Sequence, residues 1–302
     1  MKRLLLLVCV AAFAVAVVLG QAKKAESSRD DAARAAAAKL FKSLTDDQKK
    51  LALKPLDDKE RYKEEFPPVE RQGLPFNKLT AEQKALAEDA IRAMTSDYGA
   101  ERCLQVAKQT GDDRKYLNFF GEPEEGKAFA WRIAAHHLTL LYAEFGKEKE
   151  KEFGPILLGG NPVKTLWDDE EKILMELRGA LSEEEAKAVV QAKGNAGSGA
   201  NLDKKTGMRI ADLGEKPRKL ARKLLEQRLA VFSVDRRKKF EVLIEADGGA
   251  DNLRIALWGD AAKSQRDGGN YSWKIGDESI LCDWQTVGAN HIHMTVRAKL
   301  KS

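Results

Sequence analysis

The chain has 302 residues, 43% hydrophobic and 33% charged, a balance that predicts a soluble globular protein and excludes a disordered chain or a polytopic membrane protein. Its 52 Lys and Arg stand interspersed with 47 Asp and Glu, and the remaining +5 is too little for a dedicated polyanion binder, so no nucleic-acid partner is expected. Histidine is scarce, with four residues at positions 136, 137, 291 and 293.

Lys2 and Arg3 precede an uncharged apolar run from Leu4 to Leu19, and Gly20, Gln21 and Ala22 separate that run from a polar stretch beginning at Lys23. A basic segment, an apolar segment and small residues at its end are the parts of an export signal. Residues 1–22 are therefore expected to be removed, leaving 23–302 as a single domain in a periplasmic or extracellular setting. The competing reading is an uncleaved anchor, because the run falls only slightly short of the roughly 20 apolar residues that span a bilayer. No other membrane attachment is expected. Cleavage lowers the formal charge from +5 to +3 and leaves Cys103 and Cys282, which are either one disulfide or two buried free thiols.

The first half reads as helices. Ala32 to Leu40 is alanine-rich, and an apolar stripe closes on Leu40 and Phe41. Three segments then share one start signal: Leu44-Thr45-Asp46-Asp47-Gln48, Leu79-Thr80-Ala81-Glu82-Gln83 and Leu181-Ser182-Glu183-Glu184-Glu185. In each, a hydroxyl residue is followed three positions on by Gln or Glu, the capping box, so helices are expected to begin near 45, 80 and 182. Spacings of 35 and about 102 residues are too irregular for a solenoid, and similar helices bundled on one core are the simpler expectation.

From Tyr116 the pattern turns to strands. Tyr116 to Gly121 and Phe129 through Phe145 are aromatic-rich and joined by a short Glu/Pro/Gly link, a hairpin signature. Gly194 to Gly199 reads as a loop, and Lys216 to Phe232 as a basic amphipathic helix with Leu220, Leu224, Leu225 and Leu229 on one stripe. The last quarter reads as short strands over Leu243–Ala246, Leu253–Trp258, Tyr271–Ile275, Ser279–Gln285 and His291–Arg297. The fold class is α+β, a helical N-terminal half packed on a mainly antiparallel sheet made by the central hairpin and the C-terminal strands.

All four histidines fall into two tight groups, His136-His137 and His291-Ile292-His293, and both groups lie on predicted strands. Alternate strand side chains share a face, so His291 and His293 point the same way, whereas His136 and His137 point apart and only one of them completes a three-histidine site. Three imidazoles with an open position suit zinc or copper rather than the oxygen-seeking magnesium or calcium. Asp283, on the neighbouring strand, is a candidate fourth ligand or the carboxylate that orients an imidazole. The structural alternative is a set of strand histidines making ordinary hydrogen bonds.

Several runs resemble the domain-of-unknown-function family 3500: Tyr116…Gly121-Glu122-Pro123…Trp131-Arg132…His136-His137-Leu138, then Gly159-Gly160-Asn161-Pro162, then Tyr271…Ile275…Asp283…His291-Ile292-His293…Arg297. The resemblance reaches back through Glu60-Arg61, Pro67-Pro68 and Arg71-Gln72-Gly73-Leu74, and covers nearly the whole chain after the signal. It implies an exported bacterial protein and no particular reaction. Its site residues are His136, His137, His291 and His293, with Arg132 and Arg297 as further ligand-binding candidates. The chain departs from the pattern in having Asp283 where a Glu is expected, and in ending on Ala-Lys-Leu-Lys-Ser.

Arg132 is expected on the same strand face as His136, as an anion clamp or as the partner of Asp283 or Glu144. Trp131, Trp258, Trp273 and Trp284 are expected in the core. Gly197-Ser198-Gly199 matches neither G-x-S-x-G nor the phosphate-loop pattern. The leading functional expectation is an exported metal-binding protein, a metal-dependent hydrolase or oxidase. The alternative is a non-catalytic periplasmic or extracellular ligand-binding module with structural histidines.

Overall fold

The computed structural model describes residues 31–64, 66–67, 69–145, 151–160, 168–191, 199–260, 269–286 and 291–300. The proposed export signal and most of the Gly194–Gly199 loop lie outside the described residues. Among the described residues no helix is long and apolar enough to cross a membrane.

Eight helices are described. Four precede the first long strand: α1 (31–43), α2 (Asp46–Ala52), α3 (Ala81–Met94) and α4 (Asp97–Ala107). Four more follow in the middle of the chain: α5 (Asp168–Ala180), α6 (Glu183–Val189), α7 (Glu215–Leu229) and α8 (Val234–Ala246). The three capping boxes form as the spacing predicts. Thr45 N–H donates to Gln48 Oε1 at 2.9 Å while Gln48 N–H donates to Thr45 Oγ1 at 3.3 Å, and Thr80 with Gln83 and Ser182 with Glu185 repeat the exchange. Each exchange satisfies N–H groups that a helix start otherwise leaves open.

The strands are β1 (Leu53–Lys54), β2 (Leu74–Pro75), β3 (Tyr116–Phe120), β4 (Phe129–Ala135), β5 (Leu138–Glu144), β6 (Glu152–Gly160), β7 (Val190–Gln191), β8 (Met208–Arg209), β9 (Arg254–Asp260), β10 (Asn270–Gly276), β11 (Ile280–Thr286) and β12 (Ile292–Lys299). They form one mostly antiparallel sheet in the order β1-β3-β4-β5-β6-β12-β11-β10-β9-β7, with β2 also on β3 and β8 also on β9. Two-residue strands thus cover the outer edges of β3 and β9, which shields long edges from pairing with another chain.

One sheet face carries Phe119, Trp131, Phe153, Trp273, Trp284 and Met294 against the helices: Phe41 of α1 meets Phe119 edge-on at 5.0 Å, and Phe153 meets Phe232 and Phe240 at 5.1 and 5.0 Å. Trp131, Trp273 and Trp284 are fully buried in this core, as expected of large apolar rings. The opposite face carries Arg132, Lys274, Asp283, His293, Thr295 and Arg297. The irregular segment between β1 and β2 and residues 199–202 cover it, supplying Glu60, Glu64, Gly199, Ala200 and Asn201 as partners.

Two strand expectations are corrected. Leu243–Ala246 is the last turn of α8, because Ser233 caps that helix and Phe240, Leu243 and Ile244 are buried at helical spacing; a four-residue apolar run does not distinguish the two states. His136 and His137 are not on a strand. They are the two-residue turn between β4 and β5, closed by the Ala135–Leu138 pair. Cys103 and Cys282 are buried free thiols, whose pKa values burial pushes up, that of Cys103 to about 12.

Candidate metal centre

The β4–β5 turn is what aims His137. Its φ of 62° lies in the left-handed region, where an L-residue costs on the order of 1–2 kcal/mol, so neighbouring contacts must hold it there. Two are visible: His137 N–H donates to Phe66 O at 3.3 Å, and Thr110 Oγ1–H donates to His136 O at 3.4 Å. His291 directly precedes β12 and His293 is its second residue, two positions apart on one face as strand periodicity requires.

Strand β12 brings this pair to the turn by lying antiparallel to β6, with His293 opposite Gly159 and Met294 opposite Leu158, while Leu158 also pairs with Leu138 of β5. At Gly159 the backbones of β6 and β12 come too close for a side chain. A Cβ there would come 2.5 Å from Ile292 O, 3.4 Å from His293 Cδ2 and 3.5 Å from His137 Cβ.

His137, His291 and His293 each offer a ring nitrogen, and the three nitrogens lie within 4.8 Å of one another. The shortest edge is His137 Nε2 to His291 Nε2 at 2.6 Å, a hydrogen bond in which one ring N–H donates to the other nitrogen. Tetrahedral zinc at its usual Zn–N length separates its nitrogens by about 3.3 Å, so the short edge would open and the widest edge close by about 1.5 Å or less. Side-chain rotation covers shifts of that size. Phe66 stacks on His293 with centroids 3.9 Å apart and planes 6° apart, fixing that ring. His136 stacks on His137 at 3.6 Å and is not one of the three converging residues.

The electrostatics fit a cation held by neutral imidazoles. Burial first, and the other imidazoles second, hold the His137 pKa down at about 3 and that of His293 at about 4; burial also lowers those of His136 and His291. A ring that stays neutral keeps a lone pair for a metal. Among the described residues, His137 Nδ1 and His293 Nε2 are buried with no hydrogen-bond partner.

The other candidate residues are placed elsewhere on the same face. Asp283 lies opposite Thr295, two positions or about 7 Å along β12 from His293. Its oxygens accept from Thr295 N–H at 2.6 Å and Gly199 N–H at 3.2 Å, so the carboxylate anchors residues 199–202 rather than an imidazole. Burial raises its pKa to about 6 against the opposing pull of the Lys274 ammonium. Arg132 is buried and donates to the Glu60 carboxylate at 2.7 Å, to Glu60 O and to Asn118 Oδ1 at 3.3 Å, not to Asp283 or Glu144, and the turn after Ala135 takes His136 off the strand face Arg132 occupies. Arg297 pairs with Glu64 and donates to Asn201 Oδ1 at 2.5 Å.

Two residues of the centre carry a weak signal or none in the sequence. Gly159 belongs to a Gly-Gly pair at the end of an apolar run, where strand glycines mark close approach, whereas Phe66 beside Pro67 shows no periodicity that would place it. No curated protein and no solved structure matches the chain. A family model described as Protein of unknown function (DUF3500) does match, over residues 26–301, and the chain belongs to that family.

Proposed function

We propose that this chain is an exported protein that binds a zinc or copper ion through His137, His291 and His293, and that the ion serves hydrolytic or oxidative chemistry. The observation that carries the metal reading is the convergence, within 4.8 Å of one another, of ring nitrogens from the buried His137 and the half-buried His291 and His293, in rings whose pKa values burial holds down. Imidazole sets of this kind suit zinc and copper, which accept nitrogen readily. Bound with a free coordination position, such an ion supplies Lewis acidity and lowers the pKa of a water. The chain's own contribution is rigidity: the Phe66 ring stacked on His293 keeps that imidazole from turning away. Export is supported by the basic start and the apolar run Leu4–Leu19.

A second reading has one observation in its favour. The 2.6 Å bond between His137 and His291 joins two of the rings without a cation, as expected of structural histidines in a non-catalytic binding module. Elemental analysis of the purified protein separates the two. The metal reading expects about one equivalent of zinc or copper in the wild type and none in a His291→Ala/His293→Ala variant; equal content in both overturns it.

A further inference from the structure

The sheet order reads the same from either edge. A two-residue parallel strand, a long strand carrying a second short antiparallel strand, and two successive hairpin partners lead inward from β1 and again from β7, and the two series meet at β6 and β12. The registers agree. Leu53 of β1 pairs with Phe119 and Leu74 of β2 with Leu117; on the far side Val190 of β7 pairs with Leu257 and Met208 of β8 with Ile255. Left-handed glycines sit at matching places, Gly121 at φ 73° after β3 and Gly259 at φ 76° in β9, each two residues beyond the matched pairs at Phe119 and Leu257.

The helices follow the same rule. The capping boxes at Thr45 and Ser182 are 137 residues apart, and so are the N-caps Ser96 and Ser233, which start α4 and α8. Trp131-Arg132-Ile133 in β4 answers Trp273-Lys274-Ile275 in β10, each with its cation on the polar face.

Where the two series touch, the contacts are reciprocal. Ser96 N–H donates to Val231 O at 3.0 Å and Ser233 N–H donates to Met94 O at 3.2 Å, around a bridge between Thr95 and Phe232. Met94 and Val231, Thr95 and Phe232, and Ser96 and Ser233 are all the same 137 positions apart. Residue i bonding j while the counterpart of i bonds the counterpart of j is the signature of a two-fold axis between like units. The antiparallel pairing of β6 with β12 is the second place where that axis passes.

We infer that the chain is two copies of one unit, residues 31–160 and 168–300, folded on each other as an internal dimer, and that the histidine centre is a clasp between the copies. His137 belongs to the first copy, and His291 and His293 to the second. The axis carries the β4–β5 turn onto the β10–β11 turn, and the start of β12 onto the start of β6. At that other end of the seam lies a cleft of about 510 Å³ lined by Glu152, Ser279, Lys299 and Leu300. It holds no histidine among the described residues, so the clasp is single. The duplication stands without a metal; the clasp rests on the metal reading above.

The test uses the whole chain, with a protease site placed between Gly160 and Asp168 and cut after folding. The internal dimer expects both pieces to remain together, without added metal, as a particle of the uncut size and helix content; pieces that separate and lose structure overturn it. Zinc is then added at 100 times its measured dissociation constant. If the ion binds only the joined state, the dissociation constant between the pieces falls about 100-fold, and it does not fall in His137→Gly, which keeps the left-handed turn accessible. Zinc that binds while leaving this constant unchanged overturns the clasp and leaves the duplication standing. Zinc that does not bind overturns the metal reading and the clasp with it.

Discussion

The two ends of the β6–β12 seam are closed by opposite chemistry. At the Glu152–Lys299 end opposite charges are paired: Arg61 and Tyr62 both donate to the Glu152 carboxylate, Lys299 lies 4.8 Å from the centre of the Tyr62 ring, and Arg297 pairs with Glu64 nearby. At the Gly159–His293 end there are three imidazoles that burial keeps neutral, with ring nitrogens within 4.8 Å of one another. Paired charges explain their own presence through stability. Uncharged rings whose nitrogens converge are better explained by a cation they bind, and this difference makes the histidine end the functional candidate.

The largest effect that would sharpen this contrast is at the ionic end. Arg61→Ala leaves the mostly buried Glu152 carboxylate without its main partner, and removing one member of such a pair costs about 3 kcal/mol. Denaturant unfolding should show that loss with metal content unchanged; a cost below about 1 kcal/mol would mean the ionic end is not a structural brace. Gly159→Ala acts at the other end. Its Cβ would meet Ile292 O at 2.5 Å, and overpacking of this kind costs about 2 kcal/mol. Here metal affinity should fall together with melting temperature, and an unchanged affinity would show that Gly159 does not shape the centre.

A smaller effect is expected from pH. His137 and His293 have folded pKa values near 3 and 4, below the unfolded value, so the unfolded chain takes up protons first as pH drops. Their contribution is complete above about 6.5 and is lost as pH falls from there toward about 4. Asp283 works in the opposite direction between about 6 and 4, because its raised pKa makes the folded state the stronger proton binder in that window. Unfolding free energy measured from pH 7.5 to 4.5 should therefore decline, and the decline should be shallower in His137→Gly. Equal slopes would show that the imidazole is not held neutral by the fold.

What was legible in the sequence follows from how local each signal is. The capping boxes at Thr45, Thr80 and Ser182 formed because a side chain three residues away completes them, whatever the rest of the chain does. Leu243–Ala246 misled because four apolar residues fit either period, and packing of α8 decided between them. The histidine turn was hidden inside Phe129–Phe145, where apolar residues continue on both sides of His136-His137 and only a positive φ at His137 marks the reversal. β6 was not predicted at all. Its apolar run is broken by Gly154-Pro155 and ends on Gly159-Gly160, residues that weaken a strand pattern, although this strand joins the two halves of the sheet.

The paired histidines pointed to the centre because their grouping is a sequence property, while Phe66 and Gly159 enter it only through tertiary contact. The repeat was also partly visible. Leu44-Thr45 and Leu181-Ser182 are counterparts 137 residues apart, but taken with Leu79-Thr80 as a single series they give only irregular spacings.

A crystal of the full chain soaked in zinc, with anomalous data collected at the zinc edge, shows whether the three imidazoles share one ion. One strong peak is expected about 2.0–2.1 Å from nitrogens of His137, His291 and His293 together, with the His137–His291 edge opened beyond its 2.6 Å. A centre that shows no peak at saturating zinc, with the His137–His291 bond intact, would contradict it.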